Sequence, residues 1–392
     1  MDASPDPCHL SPMAQLDLLY PAISDLRAKA RRRMPKFAFE YVDSGTGTEA
    51  GVRANRAGLD RVRFMPAILR GAVEPDLSCT LLGRTHAQPF GIAPVGMAGL
   101  IWPGAEAIMA EGARRNGLIY GQSTVAAARP EETGPIVGDL GWYQHYPVND
   151  PAIRRDMLAR IEAAGWGALV VTVDVPGESR RERQRRANIS MPPVITPGMV
   201  ADMAMHPEWA LGHARRGMPR MRFIEDYTAA LNEDGFTHAG KIIRGSPGWD
   251  YIEGCRAEWD GPLIVKGVAE AADADRLLGL GVDAIWVSNH SGRQFEGGPA
   301  AIDTLPPVVE AVAGRAPVLF CSGVSGGLDI LRAVALGADH VFLGKAWYFA
   351  LGALGARGID HLAHVLRADM LSCMTQIGAA SLGEVRGRLL DA

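Results

Sequence analysis

Residues 261–290 read GPLIVKGVAEAADADRLLGLGVDAIWVSNH, and this stretch decides the fold. A short apolar run, LIV, ends at Lys266; ADADRLLGLG follows, with leucines at helical spacing; a second apolar run, AIWV, ends in Ser288, Asn289 and His290. Apolar strands without alternation, joined through a helix, belong to a parallel sheet buried on both faces. Working outward, the same unit recurs. PFGIAPVG (89–96), GLIYGQS (117–123), GWYQHY (141–146) and GALVVTVD (167–174) precede it; PVLFCSG (317–323) and HVFLG (340–344) follow it. Eight such strands predict an α/β fold of the (β/α)8 TIM-barrel type, and 392 residues suit a barrel with additions. An open doubly wound sheet is the alternative, and it needs a reversal of strand order that a sequence does not display.

Two additions stand outside this rhythm. Residues 1–88 are expected to form an N-terminal cap region, whose helical piece ISDLRAKARRRMPKFAFEYVDSG (23–45) covers the bottom or side of the barrel. The barrel itself is expected over 89–392, in a single domain overall. A long insert at about 176–249, after the fourth barrel strand, exceeds an ordinary βα loop and should carry two or three short helices. It is read as a lid, a partner-binding surface or a mobile insert.

Composition narrows the function. An apolar share of 47% with 21% charged residues excludes a disordered chain, and a net charge of -4 argues against nucleic-acid binding. The five cysteines are scattered without a C-x-x-C pair, so neither a disulfide framework nor a metal site is expected. The N-terminus opens with acids and prolines, and no run of about 18 apolar residues occurs. A cytoplasmic protein is expected; peripheral membrane contact is left open without support.

In a parallel barrel all strand ends open on one face, so their polar residues converge. They are Gly96, Ser123, Gln144, Tyr146, Thr172, Asp174, Arg181, Lys266, Ser288, His290 and Arg293, then the glycine turns at Gly323 and Gly344-Lys345. Arg181 and Arg293 suit a bidentate carboxylate grip. His290 suits a base, oriented by Asp174. Glycine turns that open helices suit a phosphate. Together they imply an organic phosphate cofactor.

From about Ala38 to Arg386 the chain resembles the FMN-dependent L-2-hydroxy acid oxidases and dehydrogenases, which include glycolate oxidase, lactate oxidase and mandelate dehydrogenase. Ser288-Asn289-His290-Ser291-Gly292-Arg293-Gln294 is close to that family's SNHGGRQ. Ile92-Ala93-Pro94-Val95-Gly96, Gln144-His145-Tyr146, Thr172-Val173-Asp174, Val265-Lys266-Gly267-Val268 and Tyr41-Val42-Asp43-Ser44-Gly45 match in the same order. The resemblance implies FMN as cofactor, His290 as active-site base and Asp174 as its partner. It implies that Arg181, Arg293, Tyr41 and Tyr146 hold a 2-hydroxy acid, and that Lys266 faces the flavin's N1–O2 edge. Gly96, Ser123, Gln144, Thr172 and Ser288 would line the ring, with Gly323, Gly344 and Lys345 at the phosphate. Oxygen, a quinone or a cytochrome would accept the electrons, and a homo-oligomer, commonly a tetramer, is implied.

The departures are local. The family's D-[GS]-G-[VI]-R becomes Cys321-Ser322-Gly323-Val324-Ser325, and its Gly-Arg becomes Gly344-Lys345, so weaker flavin binding is expected. Glu178 stands where relatives carry an apolar residue, which points to an atypical, amino-acid-derived or peptide-linked substrate as a second reading. A non-catalytic binding barrel is a third. Of the run Arg180 to Arg186 only Arg181 is given a function and the rest are read as surface. Cys321 is read as a small buried hydrophobe, and the Met and Trp residues of the insert as the core of a small lid.

Overall fold

The computed structural model describes residues 11–189, 194–228, 245 and 247–390; Cys8 and parts of the insert lie outside them. A hairpin, β1 (Cys79–Leu81) and β2 (Arg84–His86), precedes eight parallel strands that close on themselves. These are β3 (Phe90–Ile92), β4 (Tyr120–Ser123), β5 (Gly141–His145), β6 (Ala168–Thr172), β7 (Leu263–Val268), β8 (Ala284–Val287), β9 (Val318–Cys321) and β10 (His340–Leu343). β10 pairs with β3, so the sheet has no edge and the expected (β/α)8 barrel is the observed fold. All eight apolar runs read from the sequence are barrel strands.

The barrel interior is packed solid. Trp142, Trp286 and Phe342 meet inside it, with the Trp286 and Phe342 rings 4.2 Å apart, around Ile119, Val170, Ile264 and Leu319. Leu81 of the hairpin belongs to the same cluster. A filled interior leaves only the strand ends free for chemistry. Register then sets neighbours: Ser123 pairs with Gln144 across β4 and β5, and Thr172 pairs with Lys266 across β6 and β7. A register shift between Lys266 and Val268 bends β7 at Gly267, where φ is +107°. A Cβ there would stand 2.5 Å from that of Asp174, so glycine lets Lys266 and Asp174 approach.

The cap differs from the expectation. The hairpin plugs the barrel, helix Ile23–Arg33 packs on helix Lys345–Leu354, and helix Lys36–Asp43 carries Tyr41 to the strand ends. The helical piece therefore reaches the mouth as well as the side. Its apolar face dictates this: Phe37, Ala38, Phe39 and Val42 are all buried, and Tyr41 projects beside them. The described part of the insert holds four short helices: Glu182–Arg186, Pro197–Ala204, Pro207–Arg216 and Arg222–Thr228. Trp209 is its buried anchor, edge-on to Phe37 of the cap at 5.4 Å, whereas Met205 and Met218 are exposed. The lid-core reading holds for the tryptophan and fails for those methionines.

Candidate active site

The strand ends bring the expected residues together. His290 Nδ1 lies 2.9 Å from Asp174 Oδ1, and Lys266 Nζ lies 3.7 Å from Asp174 Oδ2. A carboxylate at this distance accepts a hydrogen bond from Nδ1–H, which leaves Nε2 of the neutral ring as a bare lone pair. Burial pushes the His290 imidazole below its ordinary range, and Lys266 reinforces this against the pull of Asp174. Burial works to raise Asp174, but Lys266 and His290 outweigh it and hold the carboxylate ionised. The pair is thus a neutral imidazole on an ionised carboxylate.

Ser288 Oγ ties the floor of the site to the His290 loop. It accepts from Lys266 Nζ at 3.1 Å and from the His290 amide at 3.0 Å, with Cys321 Sγ 3.2 Å away. His290 and Ser291 both adopt left-handed conformations, φ 53° and 57°, so this loop is held against its local preference.

Tyr41 Oη donates to the Gly96 carbonyl at 2.9 Å. Arg293 donates through Nη1 to the Val42 and Ser44 carbonyls at 3.1 and 3.2 Å, and through Nη2 to that of Tyr41 at 2.8 Å. Part of its fork is therefore committed to the cap, which the sequence reading did not foresee. Arg181 reaches Ser179 Oγ at 2.9 Å and Gln294 Oε1. Among the described residues neither arginine has an acidic partner. Burial first, then Arg181, lowers the Arg293 pKa to about 10. Burial also raises the Tyr146 phenol, which feels Asp174, Arg181, Tyr41 and Arg293 together. A buried Arg293 that feels the charge of Arg181 favours an anion beside it.

Ser123 Oγ donates to Gln144 Oε1 at 2.7 Å, which turns the amide nitrogen of Gln144 inward. That Nε2, Thr172 Oγ1 and Asp174 Oδ2 are buried without a hydrogen-bond partner. Buried polar groups are rarely left so. A heteroaromatic ring with carbonyl and N–H edges would satisfy the first two, so Gln144, Thr172, Ser123, Ser288 and Lys266 fit FMN. A side chain at Gly96 would run into Val125.

At the glycine turns expected to meet a phosphate, the lysine is turned to protein acceptors. Lys345 Nζ donates to the Asp43 and Ser44 carbonyls at 2.7 and 3.3 Å, towards the cap instead of away from it. An ammonium this buried must find acceptors, and these carbonyls supply them. Gly323 and Gly344 stand at the strand ends as expected. Beside Ser325, the position of the lost arginine, stands an arginine the sequence reading missed. Arg56 Nη1 lies 2.6 Å from Ser325 Oγ, and its fork grips Asp329, which also accepts from the Ser325 amide at 2.9 Å. No sequence signal separates Arg56 from its helix-face neighbours.

A further correction concerns Arg183, read as surface. It contacts Glu40 at 2.6 Å, Asp43 at 2.7 Å and Glu49 at 3.0 Å, joining the insert to the cap. Glu178 is exposed, and Cys321 is buried within the barrel interior as expected.

With this geometry in place, residues 30–392 match the family model described as FMN-dependent dehydrogenase. The chain belongs to the FMN-dependent dehydrogenase family. Its similar relatives include an L-lactate dehydrogenase of Xanthobacter autotrophicus, 35% identical, with 92% of this chain and 94% of that protein covered. One from Pseudomonas aeruginosa is 34% identical over 94% of this chain and 97% of its own length. Among solved structures, an (S)-mandelate dehydrogenase described as a monotopic membrane protein aligns with a TM-score of 0.88 and 30% identity, covering 95% of this chain and all of that one. A mandelate oxidase aligns with a TM-score of 0.80 and 32% identity, covering 95% and 98%. The cofactor of this FMN-dependent dehydrogenase is FMN, in keeping with the orphaned atoms of its ring site.

Proposed function

We propose that this FMN-dependent dehydrogenase oxidises an L-2-hydroxy acid to the 2-oxo acid, with His290 as the base. The observation that carries the reading is the neutral His290 Nε2, backed by Asp174 at 2.9 Å, beside two arginines that have no acidic partner among the described residues. The arginine pair receives the substrate carboxylate, bidentate through whatever N–H groups the cap leaves free. Tyr41 and Tyr146 border the hydroxyl. His290 takes one proton from the substrate through Nε2, and the resulting imidazolium is stabilised by Asp174. When bound, FMN supplies the two-electron acceptor. Lys266, buried under the ring site, places a positive charge where negative charge accumulates. Gly323, Gly344 and Lys345 would hold the phosphate.

Anaerobic titration of the yellow holoenzyme with a panel of 2-hydroxy acids, L-lactate and (S)-mandelate first, should bleach the flavin. Failure of the whole panel on a fully loaded enzyme would sink the reading and favour an atypical substrate. Admission of air then separates oxygen from a quinone or cytochrome as the final acceptor.

The exposed apolar residues of the insert support a peripheral membrane contact. Val194, Ile195, Val200, Met205, Leu211 and Met218 are all exposed, and no helix among the described residues is long and apolar enough to cross a membrane. Flotation with liposomes tests this, and sedimentation tests the homo-oligomer, taken as a tetramer.

A further inference from the structure

We propose that Ser322 is a positioning residue that holds the His290 loop in register with Asp174, an inference that rests on His290 being the base. Ser322 follows β9 and is buried. Its Oγ accepts from the Ser291 amide at 3.1 Å and from the Asn289 amide at 3.4 Å, the two residues that flank His290. On the other side of the loop Ser288 Oγ accepts the amide of His290 itself at 3.0 Å. Three successive amides are therefore held by two serine hydroxyls from neighbouring strand ends. The loop needs such support, because His290 and Ser291 are both left-handed and would relax to ordinary conformations if released.

Ser322 is itself strained. Its φ is +107°, a region that glycine occupies freely and an L side chain does not. A residue with a Cβ is retained at this turn although it opposes the backbone geometry. The two amide bonds offset that strain and supply a reason for a hydroxyl here. Ser322 touches neither substrate nor base, and it acts through the orientation of His290.

Two variants separate the hydroxyl from the strain. Ser322→Gly and Ser322→Ala both remove the acceptor, but only glycine relieves the backbone. In the FMN-loaded holoenzyme, both should lower kcat by about ten-fold with KM for L-lactate or (S)-mandelate nearly unchanged, since one or two modest hydrogen bonds are lost. Amide hydrogen exchange across 288–293 should rise in both, a readout that needs no substrate. The Tm should fall for S322A and hold or rise for S322G. An S322G enzyme with unaltered kcat and unaltered exchange overturns the proposal. His290→Gln is the control: if H290Q still turns over at its original rate, the assignment of the base fails, and the positioning role fails with it. If H290Q is dead while S322G is fully active, the positioning role alone fails.

Discussion

The side chains of Asn55 and Asn289 exchange two hydrogen bonds, Asn55 Nδ2 to Asn289 Oδ1 at 2.9 Å and Asn289 Nδ2 to Asn55 Oδ1 at 2.7 Å. Asn55 comes from helix Ala50–Arg61 of the cap, and Asn289 precedes the proposed base. The cap thus grips the His290 loop through a reciprocal amide pair. Asn55 also accepts from the Ala301 amide at 3.0 Å. Asn289 Nδ2 also reaches the Pro299 carbonyl at 3.2 Å, so Asn55→Ala chiefly strips the buried Ala301 amide of its acceptor and should cost about 1–3 kcal/mol of stability. Thermal denaturation of the holoenzyme reads the loss, with lowered kcat as its companion.

Asp174→Asn should be far more damaging to rate than to folding. The amide no longer enforces the Nδ1–H tautomer or stabilises the imidazolium. Turnover should fall by about a hundred-fold or more, by the logic of an orienting carboxylate. Anaerobic stopped-flow reduction of the bound flavin measures the loss.

The pH profile follows from the direction of the His290 shift. The base must be neutral, and burial keeps its pKa below the ordinary imidazole value. Activity should therefore rise with pH through an apparent pKa under 6.5 and stay level through neutrality. Asp174 raises that pKa, so D174N should move the acidic limb to still lower pH. A limb above the ordinary value would contradict this assignment.

Arg183→Met removes the contacts to Glu40, Asp43 and Glu49 at once. Asp43 keeps Arg27 at 2.6 Å, so the cap should stay folded while the insert loosens. Limited proteolysis should cut within residues 176–228 sooner than in the parent enzyme, and KM should rise.

Lys345 links flavin affinity to pH. Burial, reinforced by Arg293, lowers its pKa to about 7. Its ammonium is charged below that value and loses charge above it. Phosphate attraction, and hence FMN affinity, should weaken as pH rises above 7, approaching roughly the ten-fold per unit that one coupled proton allows. Lys345→Arg keeps its charge and should flatten the dependence, read by quenching of flavin fluorescence.

By itself the sequence determined a parallel α/β sheet and the membership of its strand ends. Eight apolar runs with helices between them suit a closed barrel or an open doubly wound sheet, parallel strands deliver their ends to one face, and the pairing of β10 with β3 decided for the barrel. His290, Asp174, Lys266, Gln144 and Thr172 were legible for that reason. What only the tertiary structure decided lies where distant segments meet. Arg56 comes to Ser325 from 269 positions away, Arg183 binds three acids of the cap, and Lys345 turns to carbonyls 302 positions distant. An exposed-looking arginine run carries no periodicity that separates Arg183 from Arg185. The partner of a charge is set by docking of the cap on the barrel, and local pattern does not encode it. The strain at Ser322 is of the same kind, because its positive φ accompanies contacts to Asn289 and Ser291, more than thirty positions away.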